Sequence, residues 1–154
     1  MLHEYETQST LNPKLWDNDR LKNGLSDKFS RIAQAFYEFL EISDSAQILD
    51  VLLIGSNANY NWTSTSDIDL HVVINYQSVG NNLHLVKNYM MAKKSIWNTN
   101  YPLKYKGMDI ELYAQDYNDR LHSSVGQYSI MRSEWIKKPN SNVISIDDEV
   151  IDAK

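Results

Sequence analysis

Apolar residues recur along this chain with two different periods. Between Leu25 and Leu40, the positions Leu25, Phe29, Ile32, Ala33, Phe36 and Leu40 fall on one stripe of a helical repeat. That spacing predicts an amphipathic helix, with Ser26 or Asp27 near its start as cap. The following "QILDVLLIG" is a short apolar run ended by glycine and reads as a mostly buried strand. "DIDLHVVI" is a second strand. After Tyr76-Gln77-Ser78 a helical pattern runs to about Trp97, turning Leu83, Val86, Tyr89, Met90 and Trp97 toward the core, and "NTNYP" stops it. "MDIELYAQ" is a third strand, approached through Lys104-Tyr105-Lys106-Gly107. "VGQYSIM" and "SEWIKKP" read as short strands or a hairpin, and the acidic "DDEVIDAK" as a frayed helix.

The order helix, strand, loop, strand, helix, strand predicts an α/β or α+β fold, a mixed sheet with helices packed on it. Residues 1–24 form a polar extension in which Leu11, Leu15, Trp16 and Leu21 are available to fold back, and 25–154 form the domain proper. A length of 154 residues suits one such domain. With 42% hydrophobic and 23% charged residues the chain has the composition of a globular protein. A net charge of −5 argues against general DNA or RNA binding through phosphate neutralisation. There is no cysteine, which excludes disulfides, thiol nucleophiles and thiolate metal sites. The polar start "MLHEYETQST" is no signal peptide and no apolar run is long enough to cross a bilayer, so the expected setting is the cytoplasm. The sequon Asn61-Trp62-Thr63 then reads as coincidence.

Side chains two apart on a strand share a face. "SDIDLHVVI" therefore puts Asp67, Asp69 and His71 on one side and Ile68, Leu70 and Val72 on the other. The two aspartates stand roughly 6.5 Å apart at the backbone by strand rise. Without a cation each raises the other's pKa; a divalent ion turns that repulsion into coordination. Oxygen-only ligands describe a magnesium site. "MDIELY" repeats the device, with Asp109, Glu111 and Tyr113 on one face. One such strand alone is the ordinary pattern of a half-exposed strand. Two of them, if neighbours, would converge three or four carboxylates on two metal ions.

Gly55-Ser56 directly follows the first strand. A glycine there lets the backbone approach a ligand, and the serine offers a hydroxyl and an amide to a phosphate. It is not a P-loop, because no lysine follows at the required offset, and not a dinucleotide fingerprint, because the further glycines are missing.

Gly55-Ser56, ten residues, then Asp67-Ile68-Asp69, with a later Ile110-Glu111-Leu112, resembles the DNA polymerase β-like nucleotidyltransferase superfamily in its minimal, stand-alone form. The likeness covers about Gln47 to Gln115. The stretch from "GMDIELYAQD" through "GQYSI" and "EWIKKP" also resembles small bacteriophage-encoded proteins of that type, which would place the protein in a host cytoplasm. The resemblance implies that Gly55 and Ser56 bind the β- and γ-phosphates of a nucleoside triphosphate. Asp67 and Asp69 would hold two Mg2+ ions, and a third acid would bind the catalytic metal and help deprotonate an acceptor hydroxyl. NMP, plausibly AMP, would pass to a protein, an RNA or a small molecule, releasing pyrophosphate.

Both Met108-Asp109-Ile110 and Ile110-Glu111-Leu112 fit the third-acid pattern; Glu111 is preferred because it lies further into the apolar strand. The forty or so residues after Gln115 leave little room for an acceptor-binding domain. Two alternatives stand beside transfer: an inactive nucleotide-binding or regulatory module, and a metal-dependent phosphohydrolase. Tyr60 and Trp62 could stack on a nucleobase, although covering the core is the commoner use of such rings. His71 shares the acidic face as a hydrogen-bonded bystander. His84 and His122 have no metal-ligand spacing, Lys87, Lys93 and Lys94 read as a solvated helix face, and Tyr113 is assigned no role.

Overall fold

A computed structural model describes residues 7–119 and 125–140. The chain forms a single small α+β domain: a six-stranded mixed sheet with helices against it, and a separate two-stranded ribbon. In chain order these are the ribbon β1 (Trp16–Asp17) and β2 (Arg20–Leu21), α1 (Leu25–Leu40), β3 (Asp50–Ile54), β4 (Ile68–Ile74), α2 (Tyr76–Val79), α3 (Leu83–Asn100), β5 (Leu103–Tyr105), β6 (Met108–Asp116), β7 (Gln127–Ser129) and β8 (Glu134–Lys137). A single turn of 3-10 helix, Ser56–Ala58, follows β3.

The sheet order is β5-β6-β4-β3-β7-β8. Only β4 and β6 run parallel; the remaining neighbours are antiparallel. Parallel neighbours cannot be joined by a hairpin, so the chain crosses between them through α2 and α3. Alternation along β4 and β6 then does two jobs. Ile68, Leu70, Val72 and Ile74, with Met108, Ile110 and Leu112, enter the core beneath α1 and α3. The residues between them line the second face. Phe29 and Phe36 on α1 are fully buried there, each contributing roughly 2–3 kcal/mol by leaving water.

Three details depart from the expectations above. Helix α1 is capped by Gly24 at φ 85, with no side-chain hydrogen bond, so neither Ser26 nor Asp27 caps it; Asp27 lies in the first turn, where its charge suits the helix dipole. On α3, Val86, Met90 and Trp97 are buried, whereas Leu83 and Tyr89 are exposed, and the Tyr89 hydroxyl instead donates to the Leu40 carbonyl at 2.7 Å. The approach to β6 is itself a strand: β5 and β6 form a hairpin across Lys106 and Gly107, both at positive φ, the geometry that matches strand twist.

The N-terminal segment does fold back. Leu11, Leu15 and Trp16 belong to the same core as the sheet, so the core extends across residue 24. Trp16 stacks on Trp135 at 4.8 Å, and its indole donates to the Asn57 carbonyl. The tail "DDEVIDAK" and His122 lie outside the described residues. Among the described residues no helix is long and apolar enough to cross a membrane.

Candidate metal centre

The parallel register sets Asp69 opposite Glu111, with His71 opposite Tyr113 and Val73 opposite Gln115. In register, paired side chains on adjacent strands point the same way. Asp67, just before β4, joins them. One carboxylate oxygen from each of Asp67, Asp69 and Glu111 lies within 4.8 Å of the others. This cluster could hold a metal ion. Its donors are all oxygens, which favours a hard cation.

Asp109 shares β6 with Glu111 but is drawn away. It pairs across the hairpin with Lys104, whose ammonium bonds its carboxylate at 2.6 Å. Among the described residues, neither Asp67 nor Asp69 receives a side-chain hydrogen bond or an ion pair on its carboxylate. Glu111 has one donor, the Tyr113 hydroxyl at 2.8 Å. The electrostatic result is plain. Burial, then the charges of Glu111 and Asp67, push the Asp69 carboxyl up to about 6. Asp67 is also raised, by burial first and then by Glu111 and Asp109, against a smaller opposing pull from Lys104.

Gly55 sits beside these acids, at φ 79 and ψ −168, a conformation almost reserved for glycine. A side chain there would run into the Asp69 carboxylate. The glycine therefore does more than turn the chain: it leaves room for the acid. Ser56 follows, and its hydroxyl donates to Ser66 Oγ at 2.7 Å, tying this turn to the segment that leads into Asp67.

Asn57 went unnoticed in the sequence. It is fully buried, and its amide nitrogen donates to the carbonyls of Ser66 and Asp67 at 3.2 and 2.9 Å. Its own oxygen accepts from Asn12 Nδ2 at 2.8 Å. The turn after β3, the entry to β4 and the N-terminal segment are thereby locked into one unit. Gly126 is the second unnoticed residue: a side chain there would strike the Ala58 carbonyl, and its N–H donates to Asn59 Oδ1 at 2.7 Å. Only an asparagine within the turn hinted at the first, and nothing local hinted at the second.

The remaining candidates stand elsewhere. Trp62 donates to the Thr10 carbonyl at 2.8 Å, which anchors the loop to the N-terminal segment, and the Tyr60 ring packs on the core. His71 bonds Gln115 through Nδ1 at 2.8 Å, and burial lowers its pKa. Lys93 pairs with Glu41, and Lys94 lies over the Tyr113 ring. His84 stands beside Asn88. From His71 and Tyr113 toward the ends of β4 and β6 a groove of about 480 Å3 opens, lined also by Gln115 from the sheet and by Lys87 and Met91 from α3; none of the three acids lines it. Compared with protein-family models, with curated proteins and with solved structures, the chain matches none.

Proposed function

We propose that this protein is a Mg2+-dependent nucleotidyltransferase that moves NMP from a nucleoside triphosphate to a hydroxyl of a protein, an RNA end or a small molecule. The observation that carries this reading is the convergence of Asp67, Asp69 and Glu111 with no ion pair to any of the three among the described residues, beside a glycine whose missing side chain leaves room for Asp69. Three carboxylates so close, two of them with raised pKa, form a costly arrangement unless a cation completes it. Asp67, Asp69 and Glu111 would hold the metal. Bound Mg2+ supplies charge neutralisation on the phosphates.

The chain's own residues do the rest. Gly55 and Ser56 stand at the end of β3, on the flank of the acids away from β6, where they can meet a phosphate tail through backbone and hydroxyl. Glu111 stands on the β6 flank and is joined through the Tyr113 hydroxyl to the wall of the groove, from which an acceptor hydroxyl would approach the acids. The groove's size is that of a small-molecule subsite.

The test is incubation with Mg2+, α-labelled nucleoside triphosphates and a cell lysate. Label appearing on macromolecule supports transfer. Label appearing as free NMP replaces transfer with hydrolysis, and retained nucleotide without turnover makes the protein a binding module.

A further inference from the structure

Tyr113 lies two residues after Glu111 on β6, and its hydroxyl donates to Glu111 Oε1 at 2.8 Å. Two neighbouring elements hold the ring in place. His71 on β4 lies 4.8 Å away, centroid to centroid, and tilted by 39°. The Lys94 ammonium from α3 lies 4.8 Å from the ring centre. His71 is in turn fixed by its bond to Gln115. The phenol is a built feature of the sheet face.

Its hydrogen bond bears on how Glu111 can meet an ion. A carboxylate can bind through one oxygen or through both. Ca2+ accepts the two-oxygen mode and a flexible, larger shell, whereas Mg2+ demands near-ideal octahedral geometry. A donor fixed on Oε1 orients the carboxylate and takes one lone pair of that oxygen, so Oε2 is the freer oxygen to offer. Such partners orient ligands and tune affinity without touching the metal. We propose that Tyr113 is a positioning residue that keeps Glu111 in one-oxygen coordination and so biases the centre toward Mg2+ over Ca2+. This rests on the metal-holding reading of Asp67, Asp69 and Glu111 given above.

The test is calorimetric titration of the whole protein with MgCl2 and, separately, with CaCl2, comparing wild type, Tyr113→Phe and Glu111→Gln. Phenylalanine keeps the half-buried ring and loses only the hydroxyl, and a thermal melt verifies that the fold is retained. The ratio of Mg2+ to Ca2+ affinity is expected to fall roughly tenfold in Tyr113→Phe, through weaker Mg2+ binding with Ca2+ unchanged or tighter. An unchanged ratio overturns the assignment, whether both affinities drop together, as for a merely structural ring, or neither moves. If Glu111→Gln loses metal while the Tyr113→Phe ratio holds, only the role of Tyr113 falls. If wild type binds neither ion at millimolar concentration, the metal centre itself falls, and the proposed function with it.

Discussion

Asp50 and Asp69 stand on adjacent strands and point to the same face of one sheet, yet the protein treats their carboxylates in opposite ways. Asp50 is 7% exposed and fully provided for. It accepts from the Val51 N–H at 2.8 Å, from Ser129 Oγ at 2.7 Å and from the Arg132 guanidinium at 3.0 Å. Asp69 has neither a donor nor a counter-charge among the described residues, and its neighbours are two more acids. The first is a structural ion pair that links β3 to the β7–β8 end of the sheet. The second is a repulsive cluster that folding alone does not relieve. A carboxylate's place in the sheet therefore says little about its purpose; what stands around it decides.

That contrast can be broken most forcefully at the cluster. Asp69→Asn removes a ligand, and transfer of label from an α-labelled triphosphate is expected to fall by at least roughly a hundredfold. Near wild-type turnover in the variant would end the metal assignment. Asp50→Ala attacks the other site and should act on stability alone. Leaving the buried Ser129 hydroxyl and Val51 N–H without their acceptor is expected to cost about 3 kcal/mol in urea unfolding. Metal affinity in that variant should stay unchanged.

Gly55→Ala tests the room beside Asp69. The strained backbone and the displaced carboxylate should destabilise the fold by about 2 kcal/mol and weaken metal binding as well. A stable variant with intact metal binding would show that the glycine only turns the chain.

The smallest effect is the most discriminating in sign. The Asp69 pKa is raised in the folded state, so its protonated form is the one folding favours. The associated stability is full below about 4 and lost as pH rises through about 6. Without metal, Asp69→Asn should therefore be more stable than wild type at pH 7, on the order of 1 kcal/mol after allowing for solvent screening. Thermal melts at pH 4 and pH 7 measure this: the gap should be largest at pH 7, close at pH 4 and shrink when Mg2+ is added. A variant less stable than wild type at pH 7 would mean that Asp69 is supported by a charge the cluster does not reveal.

Much of this was readable from the chain. The helical stripe of α1 and the alternation in β4 and β6 follow from local backbone periodicity, and they determined which side chains share a face before any partner was known. The sequence thus named Asp67, Asp69, Asp109 and Glu111 as acids on exposed strand faces and Gly55 as a special turn. It preferred Glu111 to Asp109 only for its place further into the apolar strand. What occupies Asp109 lay outside its reach: Lys104 meets that carboxylate because Lys106 and Gly107 fold β5 back on β6. The pairing of Asp69 with Glu111 came from a parallel register set by a crossover of two helices, and no local pattern encodes register across such a span. Asn57, Gly126 and Tyr113 were silent for the same reason: each acts on groups brought near by the fold. Periodicity belongs to the backbone and is written locally; neighbourhood belongs to packing, and only the assembled sheet decides which charges are answered and which are left facing one another.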